Sequence, residues 1–336
     1  MSSWYKTSSI DNDVVLSTRI RLARNIVALP FPHKMKGEDF QKLNTLVKDA
    51  VLQSDTPFSK SLRYIAMDSV PKMEVYAMAE RHIISPEFAQ NCEGRAILIN
   101  EDESVCVMIG EEDHIRIQVI LGGLQLEKAY EIADDIDRII TSKLNIAFDE
   151  QLGFLTECPT NLGTGLRASV MFHLPMLESE GFISSAAETI GKIGFTVRGM
   201  YGEGSKAAAS LYQISNQVTL GITEKNATYN LKLIANQIIE RERSARQNAY
   251  KEKIEDLVWR AYGILRYARL ISGEEMMKQA SLIKLGVSMG IIDIDSLLPI
   301  RILIETKPYM LCRKIGERTP EERDKIRADA IREMLA

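Results

Sequence analysis

The sequence predicts an α+β fold, a mixed layer of strands and helices, followed by an all-helical carboxyl-terminal region. Before about residue 222, short runs rich in β-branched residues alternate with helical segments and glycine turns, a texture typical of a mixed α+β layer. Between Gly221 and Gly263 the chain has neither glycine nor proline, and its apolar residues recur at helical spacing. With 336 residues, the chain is long enough for two domains at roughly 150 residues each. We therefore predict one domain over residues 1–224 and a second over residues 225–336.

The first predicted strand covers residues 14–22. Its period of two separates the side chains into two sets: Thr18, Ile20 and Leu22 on one face, and Ser17, Arg19 and Arg21 on the other. Residues 105–109 and 115–121 predict two more strands, the second with Arg116 opposite its apolar positions. Apolar residues from Ala129 to Ile140 then recur at helical spacing, which predicts an amphipathic helix that covers the sheet.

Composition excludes several classes of protein. The 42 Lys+Arg and 46 Asp+Glu leave a net charge of −4, which argues against direct, non-specific binding of nucleic acids. No apolar run exceeds five residues and the amino terminus lacks the regions of a signal peptide, so we expect a cytoplasmic protein without a membrane span. The four cysteines are too scattered to predict a zinc site or a disulfide framework, and no other metal-ligand set is predicted. They are Cys92, Cys106, Cys158 and Cys312.

Residues 158–169 combine a thiol, an amide, two glycines and an arginine in one loop before an apolar strand. Glycines allow backbone N–H groups to approach an anion closely, and Arg167 adds a charged fork. The loop has neither the Lys-Ser/Thr ending of a P-loop nor a dinucleotide fingerprint. The alternative is a simple turn that buries Cys158.

Two further segments carry clustered polar side chains. Glu111, Glu112 and Asp113 lead directly into the strand of Arg116, where carboxylates can bind a cation or act as a general base. A solvated acidic turn is the alternative. Residues 198–205 form a glycine-spaced loop that holds one arginine and one glutamate.

Taken together, these segments resemble the phosphagen (guanidino) kinases. The family motif S-[ST]-R-x-R matches residues 17–21, and N-E-E-D-H-x-R matches at Glu111 to Arg116. The motifs C-P-[ST]-N-x-G-T-x-x-R and R-G-x-x-G-E match residues 158–167 and 198–203, and residues 212–216 resemble the D-I-S-N segment. The resemblance covers roughly residues 14–222 and implies a phosphagen-kinase-type catalytic domain, an antiparallel sheet flanked by helices.

The resemblance implies a site for ATP and Mg²⁺. Arginines supply permanent planar donors for the phosphates of the nucleotide. The five implied here repel one another when the site is empty, so we expect a loose apo site that becomes ordered when nucleotide binds. They are Arg19, Arg21, Arg116, Arg167 and Arg198. His82 resembles the adenine-side histidine of the family, although a satisfied surface histidine at a helix end is the alternative. The implied nucleotide-binding residues are Ser17, Thr18, Arg19, Ile20, Arg21, His82, Arg116, Arg167, Ala168, Ser169, Val170, Met171, Arg198, Gly199, Met200, Tyr201, Gly202 and Glu203.

The resemblance also implies an acceptor site. Guanidinium is a weak nucleophile because its pKa is roughly 12 or higher, so it must be held rigidly and lose a proton as the N–P bond forms. Glu111 and Glu203 match the two acceptor-site glutamates, and Glu203 favours an arginine-type acceptor. Cys158 is implied beside the guanidinium as a thiolate with an auxiliary catalytic role.

The chain departs from the kinases of small guanidino compounds. Its S-[ST]-R-x-R strand begins at residue 17 rather than after a long helical region, and helices follow residue 225 instead. This arrangement resembles the bacterial protein-arginine kinases. Their allosteric phosphoarginine motif R-D-x-x-R-A matches at Arg323, Asp324, Arg327 and Ala328, and Arg323 and Arg327 are i,i+4 neighbours that we expect to face one anion. A solvated amphipathic helix face is the alternative.

The expected function is transfer of the ATP γ-phosphate to arginine side chains of proteins, in bacterial protein quality control and the stress response. The resemblance implies a homodimer, an activating zinc-binding partner, clients that include a heat-shock repressor, and a link to a Clp protease. A free-arginine phosphagen kinase and a non-catalytic phosphoarginine-binding adaptor are the alternatives.

Overall fold

The computed structural model describes residues 3–199 and 208–336. Its strands are β1 (Val15–Arg24), β2 (Arg63–Ala66), β3 (Ala96–Ile99), β4 (Val105–Ile109), β5 (Ile115–Gly122), β6 (Phe148–Asp149), β7 (Gly153–Phe154), β8 (Leu166–His173), β9 (Phe195–Gly199) and β10 (Leu211–Asn216). Its helices are α1 (Gly37–Leu52), α2 (Pro57–Ser61), α3 (Lys72–Glu80), α4 (Pro86–Gln90), α5 (Leu126–Lys143), α6 (Pro175–Ser179), α7 (Phe182–Lys192), α8 (Glu224–Asn248), α9 (Lys251–Tyr267), α10 (Gly273–Ser288), α11 (Leu298–Glu305), α12 (Pro308–Ile315) and α13 (Pro320–Met334). In the described ranges, every helix is too short or too polar to cross a bilayer.

Eight strands form one antiparallel sheet in the order β2-β3-β4-β5-β1-β8-β10-β9, and β6 pairs with β7 in a separate hairpin. Strand β1 lies in the middle, bonded to β5 on one side and to β8 on the other. The strand predicted over residues 14–22 begins one residue later and ends two residues later than expected. The predicted α+β class and the antiparallel sheet are confirmed.

The two faces of the sheet have different chemistry because side chains alternate along each strand. One face is apolar, with Ile20 of β1, Ile117 of β5 and Val170 of β8 fully buried beneath helices α1, α5 and α8. The opposite face is polar near the centre and apolar at one end, where the carboxyl-terminal helices pack against Leu16 and Ile120.

Helix α8 packs its apolar side into the same core as the sheet, through residues such as Leu231 and Ala235. Thr223 caps its first turn by accepting a hydrogen bond from the Asn226 N–H. Helices α9, α10, α11 and α13 build a second core of their own, which the sheet joins at its apolar end. The predicted all-helical region is therefore present, and its first helix belongs to the sheet core by packing.

Candidate active site

The five arginines predicted for the phosphates all lie on the polar face of the sheet. Arg19 and Arg21 project from β1, and Arg21 stands directly opposite Arg167 of β8. Arg116 of β5 is in register with Ala23, whose side chain shares that face. Arg198 of β9 lies on the same face as Gln213 of β10, because the two residues are cross-strand partners. The sheet thus brings together five cations that the sequence separates by up to 179 positions (198 − 19).

Burial and mutual repulsion lower the pKa of three of these arginines, Arg19, Arg21 and Arg167. Burial, together with the charges of Arg116 and Arg167, lowers the pKa of Arg19 to about 10. Burial also lowers the pKa of Arg21 and Arg167, with neighbouring guanidinium groups as a further cause in both. Within the described part of the chain, the Nε atoms of Arg21 and Arg167 are buried without a hydrogen-bond partner. A polyanion would relieve both the repulsion and the missing hydrogen bonds.

Glu111 lies at the edge of this cationic surface and is 5% exposed. Its Oε1 accepts from the Ser85 hydroxyl at 2.6 Å and from Nη1 of Arg116 at 2.7 Å. Its Oε2 accepts from the Glu112 N–H at 2.8 Å. The carboxylate is fixed in position by three donors, which is what an acceptor-holding group needs.

Ser85 and Gln213 are site residues for which local patterns predict no role. Ser85 caps α4 through the Phe88 N–H and also reaches Glu111, 26 positions away. Gln213 accepts from Nη2 of Arg19 at 2.8 Å. The alternation along β10 places Gln213 on the arginine face, so its position was predictable once the strand was known, whereas the Ser85 contact depends on tertiary structure.

Asp113 and Asn25 tie the acidic loop to the loop of Cys158. Asp113 Oδ1 accepts from Asn25 Nδ2 at 2.6 Å and from the Glu157 N–H at 2.8 Å. Burial raises the pKa of this carboxyl. Cys158, which follows Glu157 in the chain, is half-buried, and its Sγ lies 3.0 Å from the Thr160 hydroxyl. It lines a cavity of about 130 Å³ with Arg21, Arg116 and Arg167.

The glycines of the Cys158 loop do not have the anion-binding role that we expected from the sequence. We expected their N–H groups to face an anion, but Gly163 donates to the Phe154 carbonyl and Gly165 to that of Asn161. Both have positive φ, and a Cβ on Gly165 would lie 2.6 Å from the Ala23 oxygen. These glycines therefore allow close contact between backbone segments, and Arg167 is the loop's contribution to anion binding.

His82 follows α3 in a left-handed conformation, with φ of +62°. Gln118 Nε2 donates hydrogen bonds to the carbonyl oxygens of His82 and Ile83, at 2.8 Å each. Burial and the nearby charges of Lys307 and Arg19 lower its pKa well below the usual value, which keeps the imidazole neutral. A residue with positive φ fixed beside a cationic cluster fits a binding role better than the surface-histidine alternative.

Four of the predicted nucleotide-binding residues lie on the helix-covered face of the sheet, so their side chains point away from the arginines. Thr18, Ile20, Ala168 and Val170 are buried beneath the sheet because they alternate with the arginine-face residues. Thr18 instead donates to the Gly123 carbonyl and accepts from the Gln125 N–H. Ser17, Ser169 and Met171 do share the arginine face, and Gly199 ends β9. Met200, Tyr201, Gly202 and Glu203 lie outside the described residues.

The predicted phosphoarginine motif lies on α13, which begins with a capping box formed by Thr319 and Glu322. Arg327 is 2% exposed and donates to the carbonyls of Thr306 and Ile271 and to Asp324. Arg323 donates to the Arg318 carbonyl, and Ala328 is buried in the helical core. The expectation that Arg323 and Arg327 face one anion is therefore not met, since Arg327 points inward.

A cavity of about 800 Å³ joins the two regions. Its walls include Arg21, Arg116 and Ser85 on the sheet side, and Lys307 and Arg327 on the helical side. Lys307 donates to the Glu80 carbonyl, and Tyr76 stacks on Tyr309 with ring centroids 4.6 Å apart. The arginine surface is thus open to a space large enough for an acceptor side chain.

Comparison with known proteins agrees with this arrangement. Residues 42–245 match the family model described as ATP:guanido phosphotransferase, C-terminal catalytic domain. Residues 251–336 match the model described as protein-arginine kinase McsB C-terminal domain. A protein-arginine kinase of Halothermothrix orenii is 45% identical over 340 residues, covering 100% of this chain and 97% of that protein. One from Brevibacillus brevis is 44% identical, covering 99% and 95%.

Solved structures share the fold. The substrate-free duplicated taurocyamine kinase of Schistosoma mansoni superposes with a TM-score of 0.61 at 26% identity, over 77% of this chain and 40% of that one. A lombricine kinase superposes with a TM-score of 0.62 at 22% identity, over 74% and 73%. Because the full-length relatives and both family models agree, the chain belongs to the protein-arginine kinase family, with an ATP:guanido phosphotransferase catalytic domain and a McsB-type carboxyl-terminal domain.

Proposed function

We propose that this protein transfers the γ-phosphoryl group of ATP to arginine side chains of proteins. One observation carries the proposal: five arginines converge on one sheet face, with the fixed carboxylate of Glu111 in contact with one of them. The names of the full-length relatives support a protein acceptor rather than a free guanidino compound.

The arginines account for the electrostatic part of the reaction. In phosphoryl transfer, charge spreads over the equatorial phosphate oxygens, and catalysis consists largely of positioning and charge stabilisation. Guanidinium groups gathered on one face of the sheet lie close to where that charge develops. Mg²⁺ prefers oxygen ligands such as phosphates, so we propose that it enters bound to ATP as part of the substrate.

Glu111 is the proposed acceptor-holding group and base. A carboxylate has about four lone-pair sites, and Ser85, Arg116 and the Glu112 N–H occupy three of them. When ATP binds, Arg116 can turn to a phosphate and leave Oε1 to the acceptor guanidinium. The acceptor nitrogen then forms a bond to Pγ, the bond from Pγ to the bridging oxygen breaks, and ADP leaves with that electron pair. The nitrogen proton passes to Glu111.

Cys158 and Glu203 complete the proposed site. Cys158 lies in the small cavity lined by Arg21, Arg116 and Arg167, which supports a position beside the transferred group. Glu203 is proposed as the second carboxylate on the strength of the sequence motif alone.

The finer expectations remain proposals. Allosteric binding of phosphoarginine by the Arg323–Arg327 motif requires Arg327 to exchange its carbonyl partners for the ligand. A cytoplasmic homodimer, a zinc-binding activator, a heat-shock repressor client and a Clp protease link rest on family resemblance. The domain boundary near residue 225 also stays a prediction. The packing of α8 on the sheet and the gap between the two family matches support a division near residue 250.

The test is incubation of the full chain with MgATP and an unfolded, arginine-containing protein, followed by mass spectrometry at neutral pH. We expect phosphate on arginine, and phosphate on serine would contradict the chemistry. Glu111→Gln should lower kcat by about 10²–10⁴, the range of general acid–base catalysis. Glu150→Gln, an exposed turn residue, should leave it unchanged.

The alternatives give different results in the same assay. A phosphagen kinase would consume ATP rapidly with free arginine and no protein present. An adaptor would bind phosphoarginine without transferring phosphate.

A further inference from the structure

Ser85 connects the start of helix α4 to the carboxylate of Glu111. Its Oγ accepts a hydrogen bond from the Phe88 N–H at 3.1 Å and so caps the helix, whose first residue is Pro86. The same oxygen lies 2.6 Å from Oε1 of Glu111. Ser85 also lines the large cavity into which the arginine face opens. One side chain therefore serves both a helix end and the proposed acceptor-holding group.

The helix cap determines the direction of the second hydrogen bond. A serine hydroxyl has one proton and two lone pairs, and a carboxylate has only acceptor sites. Because the Phe88 N–H already occupies a lone pair of Ser85, the single proton of this hydroxyl is left for Glu111. The separation of 2.6 Å falls in the range of about 2.5–2.7 Å that is typical of a hydroxyl donating to a carboxylate. Ser85 is thus a donor whose orientation is set before any substrate binds.

This donor remains when the nucleotide takes Arg116 away. Oε1 of Glu111 accepts from both Ser85 and Arg116, whereas Oε2 accepts from the Glu112 N–H. Once Arg116 turns to a phosphate, Ser85 and the Glu112 N–H hold one oxygen each. The terminal torsion of a glutamate side chain is otherwise broad, so these two donors fix the plane of the carboxylate. A guanidinium group that pairs with two carboxylate oxygens takes its own plane from them.

We propose that Ser85 is a positioning residue for phosphoryl transfer. Its hydroxyl holds the plane of Glu111 in the ATP-bound state, and thereby sets the direction in which the acceptor guanidinium presents its nitrogen to Pγ. This inference rests on the proposed function, because it takes Glu111 as the group that holds the acceptor. The alternative is a helix cap whose contact with Glu111 has no effect on the reaction.

The core beneath α4 keeps Ser85 in place. Phe88 is fully buried in a cluster that includes Ile97 of β3 and Met108 of β4. Met108 is in turn the cross-strand partner of Arg116 on β5. The helix end that carries Ser85 and the strand that carries Arg116 are therefore both fixed against β4, which supports a precise distance between Ser85 and the reacting groups.

The test separates loss of the donor from loss of the cap. Glycine is nearly as good a helix cap as serine but has no hydroxyl, so Ser85→Gly removes mainly the bond to Glu111. We expect kcat for arginine phosphorylation of an unfolded protein to fall about 10- to 100-fold, because small misplacements of a reacting group have effects of this size. The KM for ATP should stay at the wild-type value, and Ser85→Thr, which keeps both the hydroxyl and the cap, should retain most of the activity.

Thr56→Gly is the matched control. Thr56 caps α2, which like α4 has five residues and begins with proline. Thermal unfolding checks that both glycine variants are folded, and Thr56→Gly should keep the wild-type kcat. A second measurement places Ser85→Gly in a Glu111→Ala background, where the carboxylate that Ser85 orients is absent. There we expect no further loss of kcat, since residues that act as a unit are not additive.

Several results would overturn the inference. They are an unchanged kcat in Ser85→Gly, an equal loss in Ser85→Thr, and a full further loss in the Glu111→Ala background, which would give Ser85 a role independent of Glu111. A raised KM for ATP with unchanged kcat would also overturn it, by assigning Ser85 to nucleotide binding. A wild-type kcat in Glu111→Ala alone would instead refute the role of Glu111 in the proposed function.

Discussion

Replacing Lys284 by methionine should change how stability depends on pH. Lys284 of α10 is 2% exposed, and its Nζ donates to the Asn12 carbonyl at 2.6 Å, across the junction between the helical domain and the sheet domain. Burial and the charge of Arg246 lower its pKa from 10.5 to about 7, against a smaller raising effect of Asp13. The folded protein therefore releases a proton from Lys284 near neutral pH that the unfolded chain retains.

The sign and size follow from proton linkage. Between about pH 7 and 10.5 the unfolded state binds one more proton at this site, so stability rises with pH by up to about 1.4 kcal/mol per unit. From pH 7 to pH 9 the gain from Lys284 integrates to about 2 kcal/mol. His173 lies nearby, and burial together with Lys284 and Arg246 lowers its pKa. Its effect appears only below about pH 6.5, outside this window.

The assay is urea unfolding followed by circular dichroism at several pH values from 7 to 9. We expect wild-type stability to rise by about 2 kcal/mol relative to Lys284→Met across this range. At pH 7 the variant should be more stable than the wild type. The loss of the hydrogen bond to the Asn12 carbonyl reduces this advantage by about 1–3 kcal/mol. Lys278→Met, an exposed change on the same helix, should follow the wild-type profile. Parallel profiles for wild type and Lys284→Met would refute the argument.

Two further predictions concern the support of β1. Asp137→Ala should destabilise the protein by about 3–5 kcal/mol, because it leaves the 1%-exposed Arg24 without its ion-pair partner; Asp134→Ala, on the solvent side of the same helix, should cost less than about 1 kcal/mol. If urea unfolding shows equal effects, the buried pair has been misjudged. Gly165→Ala should cost at least about 1–3 kcal/mol, since φ is +62° and the new Cβ meets the Ala23 oxygen. Gly191→Ala, in open space on α7, should be neutral or stabilising, and a similar thermal midpoint for both variants would contradict this account.

Local patterns were enough to predict the strands β1, β4 and β5 and the face that carries the arginines of β1 and β5. Alternation along β1 and β5 already places Arg19, Arg21 and Arg116 opposite the apolar positions, and cross-strand pairing then adds Arg167. The same alternation also shows which side chains of this motif point away from the arginine face. Thr18 lies in the middle of a binding motif, yet it faces the helices because neighbouring residues on a strand point to opposite faces.

Contacts between distant segments were not predictable. Nothing near Ser85 in the sequence indicates that its hydroxyl reaches Glu111, and nothing near Arg327 indicates that its donors turn inward to the Thr306 carbonyl. Helical periodicity identified α8 as a helix but gave no information about which core it joins. A cavity between the sheet and α11 depends on how segments distant in the chain pack together, which no local pattern of the sequence encodes.

The central position of β1 limits how this site can change. Strand β1 is bonded on both sides, so a one-residue insertion within it would move Arg19 and Arg21 into the helix-covered core and bring Ile20 to the surface. Such an event would remove binding and folding together. Changes within β1 that preserve the site are therefore substitutions that keep each side chain on its own face of the sheet.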